Sequence, residues 1–157
     1  MLKAIDHVNI VVRDMQPMLA FYTDSLGMKV TKDVVITGDW IEQVVGLKDV
    51  NARVIYLEIG DATGPRIELI QYENPPCIKS DSPNSPHLLG IRHMAFSVDD
   101  IDSIVKRLID KGVAFNSTVM RVPSTQVTYA GSVCKRLVYF HDPEGNILEL
   151  CEYSVGE

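Results

Sequence analysis

Apolar runs long enough to cross a bilayer are missing from this 157-residue sequence; a membrane-spanning helix needs roughly 20 such residues. Basic residues are in short supply too. Fifteen Lys and Arg stand against 21 Asp and Glu, a formal net charge of −6. That balance argues against nucleic acid and anionic membrane as main partners. It leaves room for a small anionic ligand, which answers to a local field. Cysteine is scarce and odd in number. Cys77, Cys134 and Cys151 have no paired spacing, which speaks against a disulfide framework and for reduced thiols in a cytoplasmic protein. The N-terminus enters an alternating strand pattern at once, with no signal-peptide-like apolar run, and this supports the same expectation. Aromatics are 7% of residues, with one tryptophan, Trp40.

What is present is enough for a folded core: 46% apolar and 23% charged residues. The length suits one ordinary domain, or two small halves sharing a core. The clearest signal is an internal repeat. GIRHMAFSVDDI, from Gly90 to Ile101, overlays AIDHVNIVVRDM near the N-terminus. His93 falls on His7 and Asp100 on Asp14. Met94, Phe96 and Val98 fall on Val8, Ile10 and Val12. Strand side chains alternate faces with a period of two, so each copy has one apolar face and one quieter face. The quieter faces carry His7, Asn9 and Val11 in one copy, and His93, Ala95 and Ser97 in the other. A lone histidine on such a strand is ordinarily a satisfied core residue. Its recurrence at the matching place makes both histidines candidate ligands.

Taken in order, Ile5 to Val12 reads as a strand. Asp14 is placed to cap a helix, Pro17 fits its first turn and Gly27 its end. Met18, Leu19, Tyr22 and Leu26 make its apolar stripe. A strand follows near Met28–Ile36. Then Trp40 to Leu47, behind an Asp39 cap, reads as one or two helical turns, serving as core packing, a dimer contact or a lid. Val54–Ile59 and Arg66–Tyr72 read as strands around a turn at Asp61–Pro65. The Pro, Ser and Asn of NPPCIKSDSPNSPH mark a linker. Beyond it, Asp99 or Asp100 caps a helix with Ile101, Ile104, Val105, Leu108 and Ile109 inward and Gly112 as its stop. Strand-like pieces follow near Val113–Met120 and Arg136–Phe140. Asp142 to Asn146 is a tight turn, and Ile147–Tyr153 the last strand. His87 and His141 lie in or beside turns without counterparts, and read as surface residues. Both halves therefore read strand, helix, three strands. The expected division is a first module over 1–76, a linker over 77–89 and a second module over 90–157.

The last strands match as well. Ile67-Glu68-Leu69 with Tyr72 parallels Leu148-Glu149-Leu150 with Tyr153. Glu68 shares a face with Ile70 and Tyr72, and Glu149 with Ile147, Cys151 and Tyr153. A carboxylate among such neighbours is costly unless paired, protonated or bound to a cation. Each half thus offers one His and one Glu. If the halves pack pseudo-symmetrically, His7, Glu68, His93 and Glu149 converge as a site for one divalent ion. Mixed N and O donors suit Zn, Ni, Co, Fe or Mn. The bland alternative has both glutamates facing water at an edge, with the histidines bonded to backbone.

At these residues the chain resembles the vicinal oxygen chelate superfamily of glyoxalases, bleomycin-resistance proteins and extradiol dioxygenases. The carriers are IDHVNIVVRD, FYTDSLGM, RIELIQY, GIRHMAFSVDDID and FHDPEGNILEL, spread over nearly the whole chain. The resemblance implies an α+β fold of two βαβββ modules, forming a curved mixed sheet around a central metal site with helices outside. It implies His7, Glu68, His93 and Glu149 as the ligands. Within the superfamily the chain is nearest to glyoxalase I and methylmalonyl-CoA epimerase. It departs from the first in carrying Val11 and Tyr72 where that family has an arginine and an asparagine for glutathione. It departs from the second in having Glu68 where a glutamine is usual.

The resemblance thus implies a metal-dependent isomerase or lyase of glyoxalase or epimerase type. A proton would be moved beside a carbonyl, with the enolate or enediolate stabilised by the ion. Glu149 or Glu68 would carry the proton. Asn9, Tyr72 and Cys151 are candidate substrate-contact residues by strand face. The alternatives are an extradiol-type dioxygenase or thiol transferase on the same fold, and a non-catalytic protein that binds a small molecule such as an antibiotic. A homodimer is expected from the same resemblance.

Overall fold

The computed structural model describes residues 1–60, 64–79, 81–127 and 133–155. The chain separates into two compact units, Met1–Asp81 and Ser82–Glu157. The first contains β1 (His7–Val11), α1 (Met15–Ala20) running on into a wider π turn (Phe21–Ser25), β2 (Lys29–Thr37), α2 (Asp39–Val45), β3 (Asn51–Glu58) and β4 (Arg66–Asn74). Its sheet has the order β1-β4-β3-β2. β1 runs parallel to β4, and the other pairings are antiparallel. The second unit holds β5 (His93–Ser97), α3 (Ile101–Asp110), β6 (Met120–Arg121), β7 (Val133–His141) and β8 (Ile147–Val155). Its order, β5-β8-β7-β6, repeats the first with β5 parallel to β8. Each module therefore forms its own four-stranded mixed sheet.

The parallel pair in each sheet is what the helix makes possible, because parallel neighbours need a long crossover between them. Asp14 starts α1 by accepting the Gln16 amide at 3.2 Å. Asp100 starts α3 by accepting the Ser103 amide at 3.0 Å and its hydroxyl at 2.6 Å. Gly27 and Gly112 end the two helical segments at φ +77° and +80°, a conformation that costs glycine little. The last strands are largely withdrawn from water on both faces, and alternation sorts their side chains between the two. In the first unit Ile67 and Leu69 of β4 are buried, as are Met15, Met18 and Tyr22; in the second Leu148 and Leu150 of β8 are buried, as are Ile101 and Leu108. Each such side chain contributes about 1.5–3 kcal/mol when fully withdrawn from water. The other face of the first sheet has its own apolar cluster. Ala52, Val54 and Ile70 are buried there, with Val34, Ile36, Tyr56 and Tyr72 packed against them.

Some expectations need correction. Asp39 is the first helical residue of α2, not its cap; Gly38 holds the cap position without a side-chain bond. Val113–Met120 is not a strand. It contributes a single bridge from Phe115 to Phe140, and β6 begins only at Met120. Polar side chains divert this stretch from the ladder. The Asn116 carboxamide bonds to His141 and the Ser117 hydroxyl donates to the Thr118 carbonyl. His141 is accordingly not a free surface residue: it ends β7, half-buried, with Nε2 2.6 Å from Asn116 Oδ1. Ile109 lies at the margin of the α3 stripe and is exposed. β7 is also longer than Arg136–Phe140, extending back to Val133. Of the turn expected at Asp61–Pro65, residues 61–63 lie outside the described residues. Trp40 is exposed on α2, beside an exposed Val44, while Ile41 anchors the helix. Cys77, Cys134 and Cys151 are free thiols. Among the described residues no helix is long and apolar enough to cross a membrane.

Candidate functional site

Strand register does most of the positioning. In the first sheet Asn9 on β1 and Tyr56 on β3 both stand opposite Glu68 on β4. In the second, Ala95 on β5 and Tyr139 on β7 stand opposite Glu149 on β8. Each histidine lies two residues before the Asn9 or Ala95 position, so its side chain shares that face. Each glutamate therefore has a histidine on one side and a tyrosine on the other.

In the first half, His7 Nε2 is 3.5 Å from Glu68 Oε2. The Asn9 amide donates to the same oxygen at 2.7 Å. On its far side His7 Nδ1 meets Asp6 Oδ2 at 2.9 Å. A proton on Nδ1 satisfies that carboxylate and leaves the Nε2 lone pair toward Glu68; carboxylates commonly fix metal-binding histidines in this way. The His7 bond, and then the bond to Arg66, hold the Asp6 carboxyl below its ordinary pKa. The Tyr56 ring meets His7 edge-on, with centroids 6.4 Å apart. Its hydroxyl bonds to Glu68, which raises the phenol's pKa.

In the second half, His93 Nε2 is 3.3 Å from Glu149 Oε2. Tyr139 lies against His93 with ring centroids 5.0 Å apart, and its hydroxyl is 3.5 Å from His93 Nδ1. Burial, followed by the charge of Glu149, raises the Tyr139 pKa. Glu149 is 3% exposed. Its second oxygen, Oε1, lies 3.0 Å from Lys135 Nζ. That is ion-pair distance, but the two are poorly aligned, and Oε1 has no well-formed hydrogen bond. Burial works against the Lys135 charge, but its contacts with Glu149 and Tyr153 outweigh it and hold the ammonium's pKa above its ordinary value. The ammonium also sits 5.5 Å from the centre of the Tyr153 ring.

These residues fit a divalent cation. Nitrogen and oxygen ligands each at about 2.1 Å from one ion stand roughly 3–3.4 Å apart, close to the His–Glu separations seen in both halves. The donors come in pairs: among the described residues no group of three or more His, Cys, Asp or Glu is arranged to hold an ion.

The remaining expected residues fall around these pairs. Asn9 orients Glu68 through its amide. Tyr72 packs on the apolar cluster of Ala52, Val54 and Ile70. The Cys151 thiol points to the Phe96 carbonyl at 3.6 Å; burial, then the nearby Glu149 charge, push its pKa up, so it is a poor nucleophile. Tyr56, Tyr139, Lys135 and Asp6 were not among the expected site residues. The two tyrosines carried a readable signal, since VIYL at 54–57 and LVYF at 137–140 are a third matching pair.

Two βαβββ-type modules, each presenting a His–Glu pair beside a tyrosine, define a class of α+β proteins built from a structural repeat. Residues 4–150 match the model of the Glyoxalase/Bleomycin resistance protein/Dioxygenase superfamily, and the chain belongs to that family. It is 32% identical over 153 residues to the uncharacterised protein YaeR of Escherichia coli (strain K12), covering 96% of this chain and 97% of that one. It is 29% identical over 157 residues to a 2-epi-5-epi-valiolone epimerase of an Actinomyces species, covering 98% and 81% respectively. A glyoxalase family protein from Bacillus cereus has a similar structure, with a TM-score of 0.79 at 29% identity, covering 98% of this chain and 95% of that one.

Proposed function

We propose that the chain is a metal-dependent isomerase or epimerase that moves a proton on a carbon beside a carbonyl. His7, Glu68, His93 and Glu149 would hold one divalent ion. The observation that carries this is the repeated pair: His Nε2 faces Glu Oε2 at 3.5 Å in one half and 3.3 Å in the other. The ion would supply Lewis-acid polarisation of a substrate oxygen. The likeness to an epimerase over nearly the whole chain supports the same reading.

The two glutamates take different parts. The Glu149 side chain is 4% exposed and lies between His93 and Lys135, so it serves as a fixed anchor. The Glu68 side chain is 13% exposed, and its partners Asn9 and Tyr56 are uncharged. Glu68 is the carboxylate that can turn toward a substrate carbon, take its proton and return it. Tyr56, bonded to Glu68, restores its position after each transfer.

Two measurements test this. The first is metal content per chain in protein purified without chelator or affinity metal. About one transition ion per chain, lost in the Glu68→Ala, Glu149→Ala double variant, is expected. Failure to bind any of several ions offered would sink the mechanism and leave a binding protein as the better reading. The second is exchange of solvent deuterium into a 2-oxo thioester or a hemithioacetal by metal-loaded protein. Exchange by the parent and not by Glu68→Gln is expected, whereas oxygen uptake with a catechol would point to dioxygenase chemistry instead.

A further inference from the structure

We propose that Lys135 makes this site selective for a substrate that carries a carboxylate. The inference rests on the metal-site reading above and adds the substrate's charge to it.

Lys135 lies on β7 opposite Tyr153 of β8, on the face that carries Tyr139 and Glu149. The register of the first sheet puts Ala52 opposite Tyr72 at the matching place. The fold is therefore content with a methyl group here, and the lysine is not needed to build a module. It is also costly to keep. Its side chain is only 18% exposed, and withdrawing an ammonium from water requires compensation. Glu149 supplies only part of it, because the contact at 3.0 Å is poorly directed. An ammonium has three donors, and Glu149 and Tyr153 are the two side chains in contact with it, so one donor is left for a ligand.

The charge balance shows what the lysine adds. A divalent ion and two carboxylates cancel, and the imidazoles bind it as neutral ligands. Without Lys135 the loaded site would be neutral. With it, one positive charge is left over in a poorly solvated place. Such a charge favours a single negative charge on the ligand. A carboxylate supplies one, whereas a phosphate monoester brings nearly two. The ammonium also stands 5.5 Å from the centre of the Tyr153 ring, a contact that helps to hold the charge in place.

The test uses the intact chain loaded with Co(II), whose visible spectrum reports ligand binding without turnover. Three probes share an α-hydroxyketone and differ at one end: dihydroxyacetone is neutral, hydroxypyruvate carries a carboxylate, and dihydroxyacetone phosphate carries a phosphate. The parent is expected to bind hydroxypyruvate about tenfold or more tighter than dihydroxyacetone, about the worth of one charge-assisted hydrogen bond. Lys135→Met should bring the two within about twofold of each other, and Lys135→Arg should keep most of the gap.

An unchanged gap in a Lys135→Met protein that still holds cobalt would overturn the proposal, leaving Lys135 as a counter-ion of Glu149 alone. Tighter binding of the phosphate probe by the parent would overturn the choice of carboxylate. Loss of cobalt in both Lys135→Met and Lys135→Gln would make Lys135 a positioning residue for Glu149 and overturn its recognition role. Failure of the metal reading is told apart by the parent itself, which would show no protein-bound cobalt spectrum before any probe was added.

Discussion

The two modules carry the same three groups and surround them differently. His7, Glu68 and Tyr56 in the first repeat as His93, Glu149 and Tyr139 in the second, at the same register positions. Further along the face they part company. The first module continues with the buried Ala52, Val54 and Ile70. The second continues with Leu137 and Lys135 on β7 and Cys151 and Tyr153 on β8. The histidine and the tyrosine that flank each glutamate have kept their chemistry, and so has the outer tyrosine, Tyr72 or Tyr153. The position opposite that outer tyrosine has been free to be a methyl group in Ala52 and a charge in Lys135. Under the proposed function, a repeated set of donors would in this way still distinguish one end of an asymmetric ligand from the other.

The largest effects are expected where the halves are alike. Leu57 and Phe140 each follow the matched tyrosine and are wholly buried. Leu57→Ala should cost about 3 kcal/mol and Phe140→Ala about 4 kcal/mol, read from urea unfolding. A two-step curve in either variant would show that the modules unfold separately, which a single domain sharing one transition does not allow.

The glutamates should sharpen the contrast. In metal-free protein, Glu149→Gln leaves the Lys135 ammonium without its carboxylate. It should cost about 2 kcal/mol, below the figure for a wholly buried pair because Lys135 keeps some exposure. Glu68→Gln removes an acceptor from two uncharged donors and should cost about 1 kcal/mol. Adding Lys135→Met to Glu149→Gln should recover much of the loss; additive effects would mean that the two groups are not coupled.

The smallest effects concern acid. The Arg53 hydrogen bonds hold the Asp33 pKa down in the first module. The Ser103 side-chain bond, with the amide bonds of α3's first turn, does the same for Asp100 in the second. A depressed carboxyl contributes stability that is present above its ordinary value of 3.8 and is lost as pH falls through the lower folded value. The Tm advantage of the parent over Asp100→Asn should therefore be full at pH 6 and shrink toward pH 3. A constant difference would show that the cap does not depend on charge.

The parts that could be read in the sequence are those set by a period of two within one strand. The histidines stood out because His7 and His93 recur on identical alternations, and the glutamates because isoleucine or leucine flanks each one. Tyr56 and Tyr139 were harder, because their place opposite a glutamate depends on the hairpin joining the two strands. They precede Glu68 and Glu149 by different distances along the chain, so no fixed spacing reveals the pairing. Lys135 was hidden by the underestimated start of β7, where Val133 and Cys134 precede it in the strand. The stretch from Val113 misled because its apolar residues alternate like a strand, while Asn116 and Ser117 spend their polar groups on local bonds. Asp6 lies inside the repeat but falls on Arg92 of the other copy, so nothing recurs there, and only the fold brings Arg66 to it.

The parallel pairing of first and last strands also sets an order of assembly. Asn9 reaches Glu68 across 59 residues of chain, and β5 meets β8 only after α3, β6 and β7 have been laid down. Contacts this distant in sequence form late and slowly, because the loop must close before the contact repays it. On a ribosome, His7 emerges well ahead of the strand that completes its surroundings, and His93 ahead of β8. No unfinished module holds a formed His–Glu pair, so under the proposed function capture of an ion would follow completion of the sheet rather than the appearance of the histidines.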